Sequence, residues 1–170
     1  IFSNIQEKVD KASKDLAKER GACPDAEEFG IKERFSNKTA IAPTASISII
    51  CGGASPGIEP IAANSYTHKT LSGSFNVRNK YLKRILEKYK KNTDEVWSSI
   101  TTNQGSVSHL DFLTAEEKDT FKTAFEIDQR WIVELGADRT PHISQAQSIN
   151  VFVPADIHKK ELHAIHFQAW

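Results

Sequence analysis

From Thr39 to Ile58 the chain carries no charged side chain, although charged residues make up 26% of the whole. A stretch rich in Ala, Ser, Thr, Ile and Gly, with nothing in it that solvates strongly, is expected to be buried or to line a pocket. Its order adds a second constraint. Ala40, Ile41 and Ala42 read as a short strand, Pro43 fixes the backbone, and small hydroxyl residues from Thr44 lead into an apolar helix. Thr44 or Ser46 can cap that helix. A helix start presents N–H groups without intrahelical partners and a partial positive charge of about half a unit. Small side chains let an anion reach those amides, so such a start can hold phosphate without lysine or arginine. The plainer reading is that Thr44 caps a buried helix and nothing more. Gly52, Gly53 and Gly57 lack the Gly-Lys-Ser or Gly-Lys-Thr of a nucleotide loop, and read as the end of the helix and a turn.

Around this stretch the pattern is mostly helical. Ile5, Val9, Ala12 and Leu16 recur at helical spacing before Gly21, and the segment from Ala22 to Lys38 reads as an irregular connection. Phe75 and Val77 alternate like a strand behind Gly73. Asn79 is placed to cap a helix with Tyr81, Leu82, Ile85, Leu86 and Tyr89 on its apolar face, and Thr93 opens a shorter one around Val96, Trp97 and Ile100. Thr114 and Glu117 form a capping box. The helix it starts is expected to bury Phe121, Ala124, Phe125, Trp131, Ile132 and Leu135 and to end at Gly136, with Trp97 and Trp131 as core anchors. Ile149, Val151 and Val153 alternate as a strand, and a last helix carries Leu162, Ile165 and Ala169 on one face. The class is α/β and helix-rich.

Composition excludes more than it selects. Twenty-two basic residues balance twenty-two acidic ones, so no global field recruits nucleic acid or an anionic membrane. No apolar run approaches the roughly 20 residues a membrane helix needs, and no secretory signal opens the chain. Cys23 and Cys51 are too few for a disulfide framework and suit a reducing, cytoplasmic compartment. Cys51 reads as a small core thiol and Cys23 as an exposed one, neither with the neighbours that activate a nucleophile. His158, His163 and His166 cluster without the further ligands a zinc site wants, and read as a solvated face. The chain has 170 residues, contains no methionine and starts at Ile1, which suggests that it is cut from something longer.

The segment Ala40-Ile-Ala-Pro-Thr-Ala-Ser-Ile-Ser-Ile-Ile-Cys-Gly-Gly-Ala-Ser-Pro-Gly-Ile-Glu-Pro60 closely resembles the phosphate loop of class I ribonucleotide reductase large (alpha) subunits. The likeness continues through Arg20–Pro24, Tyr66–Phe75, Gly105–Phe112, Phe121–Trp131 and Gln145–Asn150, and covers essentially all of residues 1–170 as one stretch of the barrel domain. It implies the C-terminal part of a ten-stranded α/β barrel built of two half-barrels, without the regulatory nucleotide domain. It also implies radical reduction of ribonucleoside diphosphates to deoxyribonucleoside diphosphates. Carried over by position, the substrate-binding loop falls on Pro43, Thr44, Ala45, Ser46 and Ile47, whose backbone amides would hold the diphosphate. The same resemblance places the radical cysteine and the redox cysteine pair before Ile1, and a tyrosine pair beyond Trp170. This chain would then hold no catalytic residue, no metal and no cofactor of its own. The implied partners are the remainder of the large subunit, a second large subunit in a homodimer, and a small (beta) subunit bearing the metal and radical. Thioredoxin or glutaredoxin would supply reductant, and ATP and deoxynucleotide effectors would bind elsewhere in an allosteric enzyme of DNA replication.

Two other readings share the sequence. The chain could be a non-catalytic split-gene module that completes a barrel with a partner chain, or a free-standing phosphate-binding protein. Alone, a half-barrel would expose unpaired strand edges and apolar faces, and is expected to be poorly stable.

Overall fold

A computed structural model describes residues 1–52, 55–70 and 73–170. The chain divides into two compact units. Ile1–Ile58, Arg130–Asn150 and His163–Trp170 make one, and Glu59–Gln129 with Val151–Leu162 make the other.

The first unit opens with helix α1, Phe2–Arg20, which Gly21 ends with a left-handed φ of 82°. The residue α1 buries is Ser13, whereas Ile5 is exposed. The connection that follows is not wholly irregular, because Pro24 at the first turn starts a short helix α2, Pro24–Glu28. Ser13 explains how the next segment is held. Its hydroxyl accepts from Phe35 N–H at 3.2 Å and its carbonyl accepts from Arg34 N–H at 3.2 Å. Helix α3, Ala45–Ile50, follows the expected strand, which is reduced to one parallel bridge between Ile41 and Gln147.

The second unit holds the larger apolar core. Strands β1, Ser65–Thr70, and β2, Gly73–Arg78, pair antiparallel from Ser65 opposite Arg78 to Thr70 opposite Gly73. Leu71 and Ser72, inside one of the matched segments, lie outside the described residues, as does Gly53. Helix α4, Lys80–Lys88, begins where Asn79 accepts from Tyr81 and Leu82 N–H, as its sequence predicts. Helix α5, Asp94–Thr102, is capped by Thr93. Leu82 and Leu86 of α4 pack with Trp97 and Ile100 of α5 and with Val107, Leu110 and Leu113 of the turns that follow. Burying each of these large side chains contributes about 1.5–3 kcal/mol. The Trp97 indole N–H keeps a partner, donating to Asn92 at 2.8 Å.

The predicted helix from Thr114 to Gly136 is three pieces. The capping box at Thr114 and Glu117 is present, but α6 spans only Ala115–Thr120. A second box, Thr123 with Glu126, restarts the chain as a single 3-10 turn. Beyond it the Gln129 side chain donates to the carbonyls of Ala124 and Ile127, both at 2.7 Å, taking acceptors that a continuing helix would need. Helix α7, Arg130–Arg139, then runs past Gly136 rather than stopping there. That glycine is a packing position, since a Cβ on it would lie 2.7 Å from Ile149 Cδ1. As a result Trp131, Phe125 and Leu135 are exposed, against the expectation, while Ile132 and Ala124 are buried.

The predicted strand around Val151 does not form either. Phe152 N–H donates to the Gln129 side-chain carbonyl at 2.7 Å instead of to a neighbouring strand. Helix α8, Lys159–Ala169, closes the chain with Ile165 buried, as its pattern indicates. No helix among the described residues is long and apolar enough to cross a membrane.

Candidate functional site

The approach to the uncharged stretch is fixed by hydrogen bonds to a distant segment of the same unit. The Ser144 hydroxyl accepts from both Lys38 and Thr39 N–H at 2.8 Å, and the Thr39 hydroxyl accepts from Ser144 N–H at 3.0 Å. Pairing then proceeds residue by residue. Gln145 N–H donates to Thr39, Ile41 N–H to Ala146, and Ser148 N–H to Ile41. Gln147, opposite Ile41, is itself held, because its amide donates to the Gly136 carbonyl and the Thr140 hydroxyl at 2.8 Å. Its carbonyl accepts from the Arg139 guanidinium at 3.1 Å. The short strand is therefore a parallel pairing on a well-anchored neighbour.

Pro43 then leads into Thr44, the residue before the first turn of α3. Its side chain does not cap the helix. Both its N–H, at 2.9 Å, and its hydroxyl, at 3.0 Å, donate to the Pro56 carbonyl, which fastens the start of the loop to its far end. The first intrahelical bond is Ser48 N–H to Thr44 at 2.8 Å. The amides of Ala45, Ser46 and Ile47 precede it, no side chain caps them, and no acidic residue stands in that first turn. Ser48 is buried and its hydroxyl returns to the Ala45 carbonyl at 2.8 Å, a role inside the helix. The loop thus offers main-chain donors beside small side chains, with no titratable group among its residues Pro43 to Ile47.

Burial, one of the two fates expected for this stretch, is not what its apolar side chains show: Ile47, Ile49 and Ile50 are exposed, and among its described residues Ser48 is the buried one. Cys51, at the C-terminal end of α3, is exposed rather than a core thiol. Gly52, with φ 81°, does turn the chain after the helix. The anchoring roles of Ser144, Gln147 and Pro56 were not legible in the sequence. Gln145–Asn150 matched the family, but a match carries no statement of which backbone it touches.

No group of three or more His, Cys, Asp or Glu among the described residues is placed to hold a metal ion. His158 accepts from Lys160 N–H through Nδ1 at 3.1 Å, at the start of α8, and His163 stacks near Phe167 with centroids 6.0 Å apart.

Comparison with known proteins decides the family. A family model described as the ribonucleotide reductase barrel domain matches residues 17–170. The chain belongs to the ribonucleotide reductase barrel-domain family. It is 48% identical over its whole length to the ribonucleoside-diphosphate reductase large subunit of Invertebrate iridescent virus 6, of which it covers 18%. It is 42% identical, again over its whole length, to a protein of Frog virus 3 described as a putative large subunit of that enzyme, of which it covers 30%. Among solved structures, the alpha subunit of the class Id ribonucleotide reductase of Actinobacillus ureae superposes with a TM-score of 0.88 at 38% identity. That match covers 99% of this chain and 30% of the other. The chain therefore spans less than a third of the length of these relatives. Its ribonucleotide reductase fold is the α/β, helix-rich one that its sequence resembles.

Proposed function

We propose that this chain serves as the substrate-phosphate portion of a ribonucleoside-diphosphate reductase large subunit. In this reading the amides of Ala45, Ser46 and Ile47, set behind Pro43 and Thr44, hold the diphosphate of a ribonucleoside diphosphate. The observation that carries it is the uncapped start of α3, held open because the Thr44 hydroxyl is given to Pro56. Aligned amides with partial positive charge bind anions at helix starts, and hydrogen bonds to a charged acceptor are about twice as strong as neutral ones. Binding at the phosphates fixes the ribose without touching it, and so positions the sugar for hydrogen abstraction.

The radical chemistry belongs to residues outside this chain. The thiyl cysteine, the redox cysteine pair and the tyrosine pair would come from the remainder of the large subunit. A small metal-bearing subunit would generate the radical and thioredoxin or glutaredoxin would restore the thiols. ATP and deoxynucleotides would act on a separate regulatory domain, and the working assembly would be a large-subunit homodimer in the cytoplasm, supplying deoxynucleotides for DNA replication.

The test is Ser46→Asp in the parent large subunit, with ribonucleoside diphosphate affinity measured by calorimetry. A carboxylate at the first turn interacts favourably with the helix dipole, so thermal stability should hold. It would also occupy and repel the phosphate site, and affinity should fall by about tenfold or more, a Coulomb cost of at least ~1.4 kcal/mol. Affinity for the unphosphorylated nucleoside should not change. Unaltered diphosphate affinity in Ser46→Asp would overturn the assignment.

A further inference from the structure

Lys38 stands just before the paired segment, and its ammonium lies 2.5 Å from Asp10 of α1 and 2.5 Å from Glu33 of the loop after α2. Lys38 and Glu33 are largely withdrawn from solvent, at 16% and 18% exposed, and Asp10 is partly so, at 32%. Most other ion pairs among the described residues are between well-exposed groups such as Lys18 and Asp15. Burial alone would lower the Lys38 ammonium, but the hydrogen bonds and charges of Asp10 and Glu33 outweigh it and leave it above its ordinary value of 10.5. A lysine between two partly buried carboxylates is fixed in place, because removing it leaves two charges uncompensated.

The position of this triad in the chain gives it a use. Glu33 is further tied to α1 by the Ser13 hydroxyl at 3.5 Å. The backbone N–H of Lys38 itself makes the first contact with Ser144, and pairing of Thr39 and Ile41 with residues 145–148 follows directly. Because the partner strand is parallel and short, a slip of one residue at Lys38 would turn every following side chain over. It would also carry Thr44 away from Pro56. Ser144 fixes Thr39 by reciprocal bonds, its N–H donating to the Thr39 hydroxyl and its hydroxyl to the Thr39 carbonyl at 3.1 Å, and the Lys38 clamp holds the residue just before them.

We propose that Lys38, clamped by Asp10 and Glu33, is a positioning residue that secures the register of the strand delivering the phosphate-binding amides. This rests on the reading of Ala45–Ile47 as the diphosphate site. Lys38 touches no substrate. It acts through the strand, Pro43 and Thr44.

The experiment uses the parent large subunit with Lys38→Met, Lys38→Arg and Ser46→Asp compared side by side. Displacement of a binding group by ~1 Å can cost about a hundredfold, so Lys38→Met should weaken ribonucleoside diphosphate binding by about ten- to a hundredfold. The effect should appear in KM for the diphosphate far more than in kcat, and affinity for the nucleoside without phosphates should stay the same. Lys38→Arg, which keeps the charge, should recover diphosphate binding to within about threefold. Equal loss of diphosphate and nucleoside binding, or no recovery in Lys38→Arg, would mean general damage and overturn the positioning role. If Ser46→Asp weakens diphosphate binding while Lys38→Met does not, the site stands and the clamp is refuted. If neither does, the site itself falls.

Discussion

Gly105 is closely approached by the backbone before β1, and Gly105→Ala tests the packing that holds the second unit's core to those residues. A Cβ at this position would lie 2.3 Å from Ala63 Cβ, 2.6 Å from Ala63 Cα and 2.9 Å from Asn64 N. Carbon atoms pack at about 3.5–4.0 Å, so the two backbones must part by ~1 Å. They cannot do so freely, because the Gly105 carbonyl accepts from Asn64 N–H at 3.1 Å and from the Asn64 side-chain amide at 3.0 Å. Losing these two bonds costs about 1 kcal/mol each, with more for groups left buried and unpaired. The left-handed φ of 82° adds about 1 kcal/mol for any residue with a Cβ. The sum is about 3–5 kcal/mol, in the range that only a named packing fault reaches. Urea unfolding followed by tryptophan emission would measure it. Trp97 is 1% exposed and Trp131 and Trp170 are 62% and 95% exposed, so the shift reports the second unit. Ala63→Gly removes the nearest clashing atom, and in the double variant should recover at least ~1 kcal/mol of the loss. A cost below about 1 kcal/mol for Gly105→Ala, or no coupling with Ala63→Gly, would refute the reasoning.

Two further outcomes are expected. Hydrogen bonds from Thr114 N–H, and from Tyr89 and Thr114, outweigh burial and hold the Glu117 carboxyl below its ordinary 4.5. Burial raises Glu126, but bonds from Ser106 and Thr123 overcome it and hold it below the same value. A carboxylate lowered on folding adds stability that is present above its unfolded value and lost as pH falls through its folded one. The native chain should therefore lose stability as pH falls below about 4.5, and Glu117→Gln with Glu126→Gln should be less stable at pH 7 and lose less stability than the native chain across that acid range. Denaturation curves at stepped pH check this, and an unchanged acid limb would count against it. With Ile47, Ile49, Ile50, Trp131, Phe167 and Trp170 exposed, the 170-residue chain alone should self-associate with rising concentration. Sedimentation velocity showing a monomer throughout would contradict that.

Local signals in the sequence translated well into structure. Asn79, Thr93 and the Thr114–Glu117 box each start a helix, because capping is settled within three residues by side-chain oxygens. What failed came from side chains that divert backbone groups, some nearby and some further along the chain. The apolar spacing from Phe121 to Leu135 fits one helix, yet Thr123 and Gln129 divert its backbone groups, and Gln129 does so partly through Phe152. Gly136 looked like a stop and is a close approach to Ile149. The helix start after Pro43 was legible, because proline fixes its own φ and biases the residue before it away from helix. Its anchors were not, since Ser144 and Gln147 lie about a hundred residues away, and neither differs by type from an exposed polar residue.

The amides at the start of α3 are main-chain atoms, so they come with whichever residue occupies positions 45–47, proline excepted. A grip of this kind has no codon of its own. Ordinary substitution cannot delete it; mutation can only crowd it, set a repelling charge beside it or bend the backbone that aims it. On the proposed reading, the points at which a lineage can lose phosphate binding therefore lie mostly elsewhere, in the residues that hold the loop straight.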